Sequence, residues 1–307
     1  MRRRQDWSPA GWAVAVIGGA NGIGREVVRQ LVAGGSNVAV GDRGGVAARA
    51  TAAEMALGAG AGVRGAGAAI GLDVDVTDTG SVTAFLDAAE AELGPLDVVV
   101  NPAGVLWVGP FLEESETTVK RQVQVNLLGA MRVVRLTSAR MVERGGGHVL
   151  TLASMGSILG LASMGSILGL ASMGSILGLA SMGSILGLAG EASYAASKHG
   201  LLGYLKSVEL ELRGTGVALS AVLPAVVDTE LARGTATAGV PMLTAADVAD
   251  AVMLSLRHPK LERTVPSYAG AMVRLANVLP LGIRNALNDK KTVPDNVKDA
   301  DRSASAA

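Results

Sequence analysis

The sequence predicts an α/β chain: a doubly wound, Rossmann-type parallel sheet in a single domain, closed by a C-terminal helical lid. Three observations carry this. Short apolar, β-branched runs lack polar alternation, as strands buried on both faces do. Helically spaced segments separate these runs from end to end, the order that gives parallel strands joined by right-handed crossovers. The first run ends in clustered glycines that lead directly into a helical stretch.

Residues 13–18 are the first strand and 23–32 the first helix. Residues 37–40 are the second strand, followed by an Ala-rich helix over 46–57. Residues 58–71, almost all Gly and Ala, read as a flexible surface loop, with a third strand ending at 73–76. A helix over 81–93 stops at Gly94-Pro95. The continuous apolar run 96–100 is a strand, 113–143 a long helical region and 148–153 a further strand. Then come a helix over 193–213, a strand over 217–223, a helix over 245–256 and a short strand at 264–265. The expected organisation is an N-terminal extension over 1–12, one folded domain over 13–287 and a charged, small-residue tail over 288–307 that reads as disordered.

Composition narrows the function. The 307 residues are 49% apolar, enough for one large core. Basic and acidic residues balance at 27 each, so no long-range field draws the chain to nucleic acid. The absence of cysteine excludes disulfides and thiolate metal sites. The three histidines, His148, His199 and His258, fall at no metal-ligand spacing, so no metal is expected. Arg2 to Arg4 before an apolar run resemble a secretory signal superficially, but Asp6 interrupts the basic stretch and the run continues into the glycine turn. The expected location is cytoplasmic.

The glycine turn is Gly18-Gly19-Ala20-Asn21-Gly22-Ile23-Gly24. Between a strand and a helix it lets the backbone approach a pyrophosphate, beside free N–H groups and the positive dipole end. An ordinary tight turn is the alternative. Asp42 ends the second strand, where a carboxylate accepts hydrogen bonds from ribose hydroxyls and repels a 2′-phosphate. That favours NAD. Arg43 beside it would pair with the phosphate of NADP. Either residue is otherwise a solvated loop charge.

Tyr194 and Lys198 stand four apart and therefore on one helix face. A free tyrosine titrates near ~10, too high for a base at neutral pH, and a nearby ammonium favours the phenolate. Two surface residues would show the same spacing.

With GGANGIG, DVTD at 75–78, NPAG at 101–104, VNLLG around Asn126, YAASK at 194–198 and PAVVDT at 224–229 in this order, the chain resembles the short-chain dehydrogenases/reductases. The resemblance spans nearly all of residues 13–270 and implies a nicotinamide-dependent enzyme acting on an alcohol or carbonyl. It implies Tyr194 as general acid/base, Lys198 as the group that lowers its pKa and holds the nicotinamide ribose, and Asn126 as holder of a relay water. It further implies that Asp75 and Val76 contact adenine, that Asn101, Ala103 and Gly104 line the cofactor floor, and that Pro224, Val227 and Thr229 lie at the carboxamide. Gly18, Asn21, Gly22, Ile23 and Gly24 would hold the pyrophosphate. Homodimers or homotetramers are expected through the helices holding Asn126 and Tyr194. Ile17, Pro102 and Ala225 depart from the family pattern, replacing a Thr, an Asn and a Gly.

The nonapeptide LASMGSILG recurs four times in perfect tandem over 152–187. Identity at every position points to a recent duplication rather than a solenoid. The stretch is uncharged and contains GxxxG patterns, yet its Ser and Gly content makes a poor membrane span, and a span here would divide one sheet across a bilayer. The family also needs a serine that orients the substrate carbonyl. Ser154 directly follows the strand, whereas Ser181 stands the usual thirteen residues before Tyr194. Extrusion of the duplication after the strand preserves backbone pairing and puts Ser154 ahead. The competing readings are a catalytically impaired or self-associating cofactor binder whose serine loop the repeat displaces, and a membrane-held protein. The apolar stretch 267–287 reads as a lid over an apolar substrate or as a helix packed on the body.

Overall fold

A computed structural model describes residues 7–58, 67–155, 190–230 and 242–268. Their elements alternate: β1 (Ala13–Ile17), α1 (Gly22–Ala33), β2 (Asn37–Asp42), α2 (Val46–Gly58), β3 (Ala69–Asp73), α3 (Thr79–Leu93) and β4 (Val98–Asn101). After β4 come α4 (Glu116–Gln122), a π-helical stretch Val123–Gly129, α5 (Ala130–Glu143) and β5 (Gly147–Leu152). The chain continues with α6 (Ala192–Leu212), β6 (Val217–Pro224), α7 (Ala245–Arg257) and β7 (Glu262–Val265).

The seven strands form one sheet, ordered β3-β2-β1-β4-β5-β6-β7, with every pairing parallel. Its two faces carry separate apolar layers, because successive side chains of a strand point to opposite sides. Ala13, Ala15 and Ile17 join the layer under α3, α5 and α6, while Val14 and Val16 join the layer under α1 and α7. On α1 the inward stripe is Val27, Val28, Leu31 and Val32, the spacing of a helix with one buried face. Each of the larger side chains stabilises the fold by about 1.5–3 kcal/mol through removal from water. Strand order reverses between β1 and β4, which opens a crevice at their carboxyl ends.

Two sequence expectations change. Residues 69–71, read as part of a flexible loop, belong to β3, which ends at Asp73 rather than at Val76. The glycines there serve close packing: a Cβ at Gly71 would lie 2.3 Å from the Arg49 backbone of α2, and one at Gly67 would lie 1.7 Å from the Ser36 carbonyl. The helical region expected over 113–143 starts at Glu116 and widens to π geometry over Val123–Gly129. The lid, the tail, residues 1–6 and most of the tandem repeat lie outside the described residues.

Candidate active site

The crevice at the β1/β4 reversal is shaped by backbone. Gly18 (φ +87°) follows β1, and a Cβ there would lie 2.9 Å from the backbone of Ala103 after β4. A Cβ at Gly24 would come within 1.9 Å of the Gly18 carbonyl, so only glycine lets α1 start this close to the strand end. The Gly18 and Gly19 amides donate to the Gly41 carbonyl at 2.8 and 3.0 Å, and the Ala103 amide to Ile17 O at 3.1 Å. Ile17, where the family has Thr, is fully packed in the core. Asn21 stands at the N-cap of α1 without a side-chain cap bond, and the first turn carries no acidic residue. The exposed start of α1 therefore keeps free N–H groups and a positive end for an anion. These features fit a dinucleotide pyrophosphate.

The other expected cofactor contacts sit mostly at or just beyond the carboxyl ends of β2, β3, β4 and β6. Asp42 Oδ2 accepts from the Ala20 amide at 3.1 Å and Oδ1 from the Arg43 amide at 2.9 Å. An ionised carboxylate has about four acceptor positions, so capacity for ribose hydroxyls remains. Arg43 is exposed, and its charge acts on Asp75. The Thr77 hydroxyl and amide, helped by Arg43 and Arg132, hold the Asp75 carboxyl below the usual carboxylate range. Val76 is buried, its carbonyl bonded by Arg132. Asn101 is buried, and its carbonyl accepts from the Thr151 hydroxyl at 3.2 Å. Beyond β6, Pro224 pairs with Val265, Val227 bridges to Leu243, and Thr229 packs beside Gly22 and so closes the far side of the turn. Ile23 packs partly buried against the α1 layer.

The second half of the site gathers where β5, α6 and the π stretch meet. Lys198 is buried, and its Nζ donates to the Leu152 carbonyl at 3.0 Å while lying 5.7 Å from the Tyr194 ring centroid. Asn126 is fully buried on the π stretch. Its amide makes three hydrogen bonds to two residues. Asn126 Oδ1 accepts from the Val105 amide at 2.8 Å, and Nδ2 donates to Val105 O at 2.8 Å and to Ser197 Oγ at 3.3 Å. A Cβ at Gly104 would lie 3.3 Å from Asn126 Oδ1 and 3.7 Å from Lys198 Nζ, so glycine keeps this floor open.

Ser154 follows β5 and hydrogen-bonds the Tyr194 hydroxyl, an interaction that favours the phenolate. Burial outweighs it and pushes Tyr194 up to about 12, with the negative charge of Glu191 acting in the same direction. Burial also pushes Lys198 down to about 8. The expected lowering of the tyrosine by its lysine is thus reversed in the protein alone: desolvation penalises both charged forms more than this arrangement rewards them. Ser181 lies outside the described residues.

Sequence reasoning missed a supporting network. Gln122 on α4 is buried and donates to Glu114 at 2.7 Å and to Ser193 Oγ, which in turn donates to Glu114. The Gly109 amide donates to the Gly190 carbonyl at 2.8 Å. These bonds fasten the loop after β4 to the start of α6, and hence to Tyr194. Nothing in local spacing links Gln122 to Ser193. Glu191 stands three residues before Tyr194, a spacing that is local and visible in the sequence.

The family model for short chain dehydrogenases matches residues 12–167 and 164–238. The chain belongs to that family. The two matches overlap inside the tandem repeat, as a duplication within one family domain produces. A dehydrogenase of Streptomyces exfoliatus, 1-deoxy-11-beta-hydroxypentalenate dehydrogenase, is 34% identical over 72% of this chain and 70% of its own. The Mycobacterium tuberculosis protein named "Probable oxidoreductase EphD" is 28% identical over 93% of this chain but only 47% of its own, so the chain spans about half the length of that relative. In fold, a short chain dehydrogenase/reductase of Burkholderia phymatum, solved in complex with NAD, superposes with a TM-score of 0.71 at 21% identity, covering 88% of this chain and 94% of that one. Among the described residues no group of three or more His, Cys, Asp or Glu could hold a metal, and no helix is long and apolar enough to cross a membrane.

Proposed function

We propose that the chain is a nicotinamide-dependent oxidoreductase that interconverts an alcohol and a ketone, with Tyr194 as the proton-transfer group. The observation that carries this is the convergence of the Ser154 hydroxyl, the Tyr194 hydroxyl and the Lys198 ammonium at the end of β5, beside the glycine-walled crevice. A nicotinamide held there would supply or accept the hydride at the substrate carbon. The free starts of α1 and the turn 18–24 would hold its pyrophosphate, Asp42 the adenosine ribose, Asp75 and Val76 the adenine, and Asn101, Ala103 and Gly104 the floor. Pro224, Val227 and Thr229 would border the carboxamide. The carboxylate at Asp42 supports NAD; the exposed Arg43 leaves NADP as the cofactor to compare.

In the reduction direction Tyr194 holds the proton that the substrate oxygen needs, because burial keeps its phenol protonated well above neutral pH. Ser154 positions that oxygen and supports its developing charge. As Tyr194 gives up the proton, its phenolate is supported by the Ser154 hydroxyl and by Lys198 beneath the ring, and Asn126 anchors the floor on which Lys198 rests. The displaced-serine alternative requires the repeat to carry the serine away, and Ser154 remains bonded to Tyr194. The substrate is a small alcohol or carbonyl compound, apolar in the main, and the assembly is a homodimer or homotetramer.

The test is a turnover screen of purified protein with NADH and NADPH over ketones. Tyr194→Phe should lower kcat by about 10³-fold or more while cofactor binding persists. Undiminished turnover in that variant would remove Tyr194 from the chemistry.

A further inference from the structure

Glu191 is the buried titratable group that the chemistry above leaves unused. It occupies the N-cap of α6, where its carbonyl accepts from the Ala195 amide at 2.8 Å, but its side chain makes no cap bond. The residue is only 4% exposed, and Oε2 has no hydrogen-bond partner among the described residues. Its neighbours do not account for this. Ser193, two positions on and hence on another face, is taken by Glu114 and Gln122. Gly190 is tied to Gly109 through its backbone alone. Tyr194, one turn along on the same face, has its hydroxyl on Ser154. A buried polar atom left unpaired is costly, so one on a residue whose charge acts on Tyr194 points to a ligand that pairs with it.

We propose that Glu191 is a specificity-determining residue that hydrogen-bonds a second hydroxyl of the substrate, adjacent to the oxygen held by Ser154 and Tyr194. The substrate class is then a hydroxy ketone and its diol, rather than a simple ketone and its alcohol. The proposal rests on Tyr194 being the acid–base group. Burial pushes the Glu191 carboxyl up to about 7, so near neutral pH about half of it is the uncharged acid, which both donates and accepts and so suits a hydroxyl. The surroundings agree: the one cation at this corner among the described residues, Lys198, already serves Leu152 O and the Tyr194 ring.

The experiment compares 2-hydroxycyclohexanone with cyclohexanone as substrates of the full chain. Wild type should prefer the hydroxy ketone by about tenfold or more in kcat/KM, the discrimination of one buried hydrogen bond. Glu191→Leu should bring the ratio to near one, mainly through KM for the hydroxy ketone, and Glu191→Gln should retain most of it. Equal loss on both ketones, or a preference unchanged in Glu191→Leu, overturns the proposal and leaves Glu191 structural. If Glu191→Leu does not fold, Glu191→Gln and Glu191→Asp still decide: an unchanged ratio in Asp, whose shorter side chain withdraws the carboxyl, overturns it. Titration of both ketones onto the Tyr194→Phe protein with NADH, followed by nicotinamide fluorescence, separates the two claims. The hydroxyl preference should survive there in binding without turnover; equal affinities contradict the Glu191 assignment alone.

Discussion

The glycine turn after β1 and the corner around Tyr194 share the carboxyl end of one sheet, but they are built from different materials. The turn is backbone against backbone: Gly18 against Ala103, and Gly24 against the Gly18 carbonyl. Few side chains touch it, Asp42 holding the Ala20 amide and Thr229 lying beside Gly22, and the unpaired amides at the start of α1 are what an anion would meet. The Tyr194 corner is buried polar side chains in an apolar setting, with Asn126, Ser197, Lys198 and Gln122 each holding partners through hydrogen bonds. The first is sensitive to a single added carbon. The second is sensitive to which proton each group keeps, since Tyr194 and Glu191 are pushed up and Lys198 down by the same burial.

The sharpest way to break this contrast is Gly24→Ala. The new Cβ would fall 1.9 Å from the Gly18 carbonyl, backbone that cannot yield without moving β1 from α1. We expect cofactor affinity, measured by fluorescence titration, to fall by about 100-fold or more, with the Tyr194 corner unaffected in a substrate-free hydrogen-exchange map. Cofactor binding at wild-type strength would show that the turn is not the pyrophosphate site.

A smaller effect is expected from proton linkage, and it has a definite sign. His148 on β5, hydrogen-bonded to Ser220 at 2.9 Å, is pushed by burial down to about 4. Its unfolded form binds the proton first, so its contribution is present above about 6.5 and lost as pH falls toward 4. Glu191, pushed up to about 7, contributes stability below about 4.5 that is lost as pH rises toward 7. The two oppose each other in the same window. The thermal midpoint of His148→Gln should therefore fall from pH 4.5 to 7, and that of Glu191→Gln should fall from pH 6.5 to 4. Wild type should be flatter than either. Parallel profiles in all three proteins would contradict burial as the cause.

The same contrast explains what could be read from the sequence. The alternation of strands and helices, the glycine turn, the Tyr194–Lys198 spacing and Asn126 follow from periodicity, spacing and ordered motifs, all local to short stretches, whereas the order of the strands in the sheet comes from the fold. Residues 69–71 were misread because glycine content signals a loop, whereas here it lets β2, β3 and α2 close on one another. The π turn at Asn126 leaves no trace in hydrophobic spacing. The Glu114–Gln122–Ser193 network joins residues up to 79 apart in sequence, so only the fold brings them together. The direction of the Tyr194 shift depends on burial, which spacing does not report.

The central claim, that the corner at the end of β5 is intact because its serine is Ser154, is tested most directly by steady-state kinetics of Ser154→Ala and Ser181→Ala made separately. The account predicts that Ser154→Ala lowers kcat by about 10²-fold or more, as loss of an oxyanion donor does, and that Ser181→Ala stays within about threefold of wild type. Collapse of turnover in Ser181→Ala, with Ser154→Ala near wild type, would contradict it.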